Sequence, residues 1–80
     1  MIERIRAILR DHGRLSVDAG LLGDDTNLYE AGMSSHASVN VMLALEGEFD
    51  VEFPDAMFRR EVFGTMGAIR AAIVELTKGR

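Results

Sequence analysis

The chain has no cysteine, no tryptophan and a single proline. Without cysteine, disulfides and thiolate metal clusters are excluded and secretion has no support. A thiol needed for function must therefore arrive on a cofactor. No apolar run approaches the roughly 20 residues that cross a bilayer. The start, Met1-Ile2-Glu3-Arg4, carries no apolar signal segment. A cytoplasmic protein with no membrane partner is expected. An excess of positive charge is missing as well: 9 Lys and Arg face 13 Asp and Glu, for a net charge of −4. That balance leaves no surplus cation to displace phosphate counterions, so nucleic acid is not an expected partner. Strand signals are confined to Phe49-Asp50-Val51-Glu52-Phe53, which alternates in isolation and runs into Pro54. The 80 residues suit one small domain, 1–80, expected to be monomeric.

What is present is helical periodicity. Residues 2–12 place Ile2, Ile5, Ile8 and Leu9 on one face and Arg4, Arg6 and Arg10 on a basic, solvated one, with Gly13 as the stop. Residues 13–33 are broken by glycines and by Asp24-Asp25-Thr26-Asn27. Leu15, Val17, Leu21, Leu22 and Leu28 are expected to pin this long connection to the helices. Asp24-Asp25 lacks the alternating acidic spacing of a calcium loop and reads as turn chemistry, so no metal site is expected. Residues 35–49 form a central helix with Val39, Met42, Leu43, Leu45 and Phe49 as its apolar stripe, widened by Val41. Pro54 cannot continue it. A short helix is expected over 56–63, using Met57, Phe58 and Val62, and a last one over 66–77, capped by Thr65 and facing inward with Met66, Ile69, Ile73 and Leu76. The fold class is all-α: a four-helix bundle of three long helices and a short third, with a long loop between the first two.

The chemistry concentrates at Gly32-Met33-Ser34-Ser35-His36. A loop ends in glycine, two hydroxyls follow, and the apolar helix begins. A helix start offers unpaired N–H groups and the positive end of the macrodipole, a favourable place for a phosphodiester on serine. By local chemistry alone, a serine there is more often a simple cap.

The downstream run Ala44-Leu45-Glu46-Gly47-Glu48-Phe49, followed by Pro54-Asp55, resembles the phosphopantetheine-dependent acyl and peptidyl carrier proteins. In that family a Gly-x-Asp-Ser-Leu motif opens the second helix and its serine bears the prosthetic group. Counting back from Ala44, the resemblance implies that Ser35 is the 4'-phosphopantetheine attachment point and that Ser34 stands where the motif has aspartate, keeping a capping oxygen. It implies no enzymatic activity of the chain's own. The implied partners are a phosphopantetheinyl transferase, an adenylate-forming aminoacyl or acyl ligase, and a downstream synthase or transferase. These are expected to dock at Met33, His36, Ala37 and Asn40. His36 replaces the motif's leucine, and residues 36–43 carry no acid, so steering of a basic partner should be weak. That points to a specialised carrier of aminoacyl or dedicated acyl groups. A long acyl chain would need shelter between the second and fourth helices, near Met42, Val62 and Ile69.

Two other classes compete. A Ser35–His36 hydrolase is disfavoured because adjacent helical side chains diverge by about 100° and no nucleophile elbow is present. An unmodified interaction module, docking through Met33, Ala37 and Val41, is the stronger rival. It predicts no covalent group on Ser35.

Overall fold

The structure, a computed structural model, describes residues 1–78. Its four α-helices are α1 (Ile2–His12), α2 (Ser35–Phe49), α3 (Arg60–Phe63) and α4 (Met66–Thr77), and no strand occurs among the described residues. The first helix buries Ile5, Ile8 and Leu9 at the spacing of one helical face. Gly13 ends it through lack of space, since a Cβ there would lie 2.7 Å from the Leu9 carbonyl oxygen. The left-handed turn falls one residue later, at Arg14 (φ 53°).

Arg6 corrects the expectation of a uniformly solvated basic face. Its guanidinium is half-buried and donates to the carbonyls of Ala19 and Leu22, each at 2.8 Å. It thereby brackets the short 3-10 turn Ala19–Leu21 against α1. Farther on, the Leu28 N–H donates to the Gly64 carbonyl at 2.7 Å, and the Gly67 N–H donates to the Asp24 carbonyl at 2.9 Å. The long loop is therefore fastened by polar groups as much as by side chains. Leu22 and Leu28 are buried as expected, whereas Val17 and Leu21 stand exposed.

The second helix is apolar around most of its circumference, so the sequence pattern leaves its inward face open. Ala37, Ser38, Val41 and Leu45 are the buried positions. Leu43, expected in the stripe, is 55% exposed, and Met42 only packs on the edge of the core. The buried Ser38 hydroxyl is satisfied by donating to the Ser35 carbonyl at 2.6 Å. Asp50 closes the helix in the left-handed conformation (φ 54°). The Glu46 carboxylate then accepts the Phe53 N–H at 2.8 Å, fixing the chain's exit. Arg4 joins α1 to this end, donating to the Glu48 carboxylate and carbonyl at 2.8 and 3.0 Å while lying 4.5 Å above the Phe49 ring.

The expected continuous third helix is divided into a 3-10 turn, Asp55–Met57, and the four-residue α3. Arg59 between them is extended (φ −137°, ψ 158°). This resets the helical phase, so that Phe63 points fully into the core and takes edge contacts from Phe53 and Phe58, with centroids 5.2 and 5.6 Å away. The Thr65 hydroxyl caps α4 by accepting the Ala68 N–H at 3.0 Å, and Met66, Ile69, Ala72 and Ile73 face inward.

Gly32, at φ 116°, crosses the chain so closely that a Cβ would meet the Ser16 backbone nitrogen at 2.7 Å. Gly32→Ala should lower stability by about 1–3 kcal/mol. Gly47→Ala, in the middle of α2 with nothing within 4 Å of the added methyl, should raise it by about 0.5–1 kcal/mol through helix propensity and chain entropy. Urea unfolding of the two variants should show midpoints moving in opposite directions.

Candidate functional site

The crossing at Gly32 delivers the chain to α2. Ser16 donates from both its N–H and its hydroxyl to the Ala31 carbonyl, each at 2.9 Å, and the Met33 N–H donates to the Leu28 carbonyl at 3.0 Å. Held on both sides, Ser34 takes the extended conformation of an N-cap (φ −80°, ψ 166°), and its hydroxyl accepts the Ala37 N–H at 3.0 Å. Ser35 is the first helical residue. It is exposed, and its hydroxyl has no hydrogen-bond partner among the described residues. The two adjacent serines thus differ in kind: one hydroxyl is occupied by the helix and the other is presented to solvent.

Two of the expected docking residues are corrected by burial. Met33 is 2% exposed and Ala37 is fully buried. Both belong to the core that seats the start of α2, and Val41, the third residue of the rival docking face, lies there too. A small Ala37 lets the helix N-terminus sit against the loop, which a sequence reading interprets as room for a visitor. His36 is exposed and Asn40 half-buried, so these two remain on the surface around Ser35.

Beside Ser35 lies an open cavity of about 410 Å³, lined by Tyr29, His36, Ser38, Val39, Phe58, Arg59 and Arg60. The loop provides Tyr29, the start of α2 provides Ser35 to Val39, Phe58 and Arg59 come from the segment before α3, and Arg60 opens α3. In the sequence Phe58 reads only as an apolar residue of the short third helix, and Tyr29, Arg59 and Arg60 give no signal of a site. The Arg59-Arg60 doublet is visible there, but only the break at Phe58–Arg59 folds it back toward Ser35. The Arg60 guanidinium lies 3.9 Å above the Tyr29 ring. Arg59 is 3.8 Å from the Glu61 carboxylate. No group of three or more His, Cys, Asp or Glu side chains able to hold a metal occurs among the described residues. The arrangement suits a covalent anchor: a free hydroxyl at a helix start, bordered by cations that can face a phosphodiester.

Comparison with known proteins agrees with this geometry. A family model described as a phosphopantetheine attachment site matches residues 3–73. The chain is 40% identical to the aminoacyl carrier protein of Agrobacterium fabrum (strain C58), over 95% of its own length and 92% of the relative's. It is 38% identical over 53 residues to the D-alanyl carrier protein of Lactobacillus acidophilus, covering 65% of this chain and 67% of that one. Its structure is similar, with a TM-score of 0.88 and 41% identity, to a carrier protein from Agrobacterium tumefaciens crystallised with an engineered Bradyrhizobium japonicum glycine:[carrier protein] ligase and AMP. That match covers 91% of this chain and 97% of the other. With its helical bundle and its exposed serine at the head of α2, the chain belongs to the phosphopantetheine-binding carrier proteins, non-enzymatic proteins whose covalent cofactor is 4'-phosphopantetheine.

Proposed function

We propose that the 4'-phosphopantetheine arm is carried on Ser35 and that its cargo is an aminoacyl group, loaded by a separate adenylate-forming ligase. The observation carrying the assignment is the division of labour between neighbours: the Ser34 hydroxyl is held by the Ala37 N–H, while that of Ser35 is exposed and unengaged among the described residues. The arm supplies the thiol that this cysteine-free chain lacks and holds the cargo as a thioester. The protein supplies position. It fixes the start of α2, keeps the attachment oxygen in solvent, and leaves His36 and Asn40 as surface for partners.

The aminoacyl reading is supported by two kinds of relative, an aminoacyl and a D-alanyl carrier, and by a structural neighbour bound to a glycine ligase. Packing supports it too. The region near Met42, Val62 and Ile69 is filled: Ile69 is fully buried, and Met42 and Val62 pack against the core. A polar aminoacyl group needs no apolar shelter. Charging through an adenylate consumes ATP, which fits a cytoplasmic location, and no helix among the described residues is long and apolar enough to cross a membrane. A phosphopantetheinyl transferase would install the arm, and a downstream transferase or synthase would take the cargo. The chain acts in this reading as a single carrier domain.

Incubation with coenzyme A and a broad-specificity phosphopantetheinyl transferase should add one phosphopantetheine unit to the intact mass, and Ser35→Ala should abolish the gain. No gain with several transferases would favour the unmodified interaction module. Ser34→Ala should still be modified but should lose about 1 kcal/mol of stability, the usual effect of removing a cap. A gain surviving Ser35→Ala but lost in Ser34→Ala would move the site by one residue.

Docking can be tested separately. Asn40→Glu and His36→Glu should weaken ligase binding while leaving the thermal unfolding midpoint nearly unchanged, and unchanged affinity would place the interface elsewhere. Ala37→Glu, a charge forced into the core, should instead unfold the protein.

A further inference from the structure

The cavity beside Ser35 has a cationic lining that the carrier reading does not by itself require. Arg59 and Arg60 contribute to it and no carboxylate does, although the chain as a whole carries a net charge of −4. The two arginines differ in their surroundings. Arg59 already faces Glu61, at 3.8 Å. Arg60 has no carboxylate within ion-pair distance among the described residues, and its guanidinium is laid on the Tyr29 ring at 3.9 Å.

We propose that Arg60, held in place by Tyr29, binds the phosphodiester that joins the arm to Ser35. The inference rests on Ser35 being the attachment point. A guanidinium stacked on one face still offers its in-plane N–H donors, and those donors match two phosphate oxygens bidentately. The phosphodiester is delivered by a covalent bond to a residue of the same cavity wall, so its effective concentration at Arg60 is high and even a weak contact is populated. Fastening the phosphate leaves the thiol end of the arm free to travel while its root keeps one direction relative to α2. An acidic side chain of a docking partner is the competing occupant. The phosphodiester is favoured because it resides at the cavity permanently, and a partner would have to displace it.

The apo protein and the protein carrying the arm can be compared by NMR, following the Arg60 Nε–H cross-peak and the phosphorus resonance of the phosphodiester at low salt. The Arg60 cross-peak should shift on modification. The phosphorus resonance should shift in Arg60→Gln, less in Arg60→Lys, and not in Arg70→Gln, which alters an exposed position of α4. Molar salt should reverse the Arg60 shift. An Arg60 cross-peak unchanged on modification, with the same phosphorus resonance in every variant, would overturn the proposal while a mass gain on Ser35 left the carrier assignment standing. A cross-peak that moves only when the ligase is added would overturn it in favour of an acidic partner contact. Absence of the mass gain on Ser35 would remove both the assignment and the proposal.

Discussion

The approach of Gly32 to Ser16 is the constraint on which the rest of the site depends. Here the end of the long loop passes the chain that has just left α1, at a distance only a residue without a side chain tolerates. The Ser16 N–H and hydroxyl both converge on the Ala31 carbonyl, so the crossing is fixed by hydrogen bonds as well as by space. Move it, and Met33 leaves the core, Ser34 loses its reach to the Ala37 N–H, and the first turn of α2 no longer has a defined direction. The exposed hydroxyl of Ser35 follows directly on residues fixed by these contacts, Met33 and Ser34.

Much of this was legible in the sequence, for identifiable reasons. The bounds of α1, α2 and α4 follow from punctuation: Gly13, the Ser34 and Thr65 caps, and the polar residues that break periodicity between them. The resemblance points to Ser35 because Ala44-Leu45-Glu46 lies at a fixed helical distance from it, and the structure shows that residue exposed at the head of α2. What could not be read was phase and reach. On α2 nearly every position is apolar or small, so the pattern admits both Leu43 and Val41 to the stripe, whereas Val41 is buried and Leu43 exposed. Small and flexible residues such as Met33 and Ala37 beside an exposed serine suggest access when only the sequence is in view. They are instead the packing that holds that serine in place. The third element was read as one helix because nothing in Phe58-Arg59-Arg60 signals an extended residue.

The long loop shows how a segment poor in regular structure can still be rigid. Arg6 reaches across from α1 to two loop carbonyls, and backbone hydrogen bonds from Leu28 and Gly67 tie the loop to the α3–α4 junction. These contacts satisfy polar backbone groups that would otherwise need water. They also draw Tyr29 beneath Arg60, which places an aromatic surface and a cation next to Ser35. The loop is therefore part of the site's wall as well as the route to it.

The acidic end of α2 has a consequence for how the molecule looks from a distance. Glu46 accepts a backbone N–H of the following segment, and Glu48 is bridged to Arg4. Both glutamates of α2 are thus engaged by the protein's own donors. The first turn of α2 carries no Asp, Glu, Lys or Arg of its own, and the charge beside Ser35 is that of Arg59 and Arg60. Recognition must then be settled at short range, by the contours around Ser35. The acids of α2 thus serve to fix the end of the helix and its join to α1.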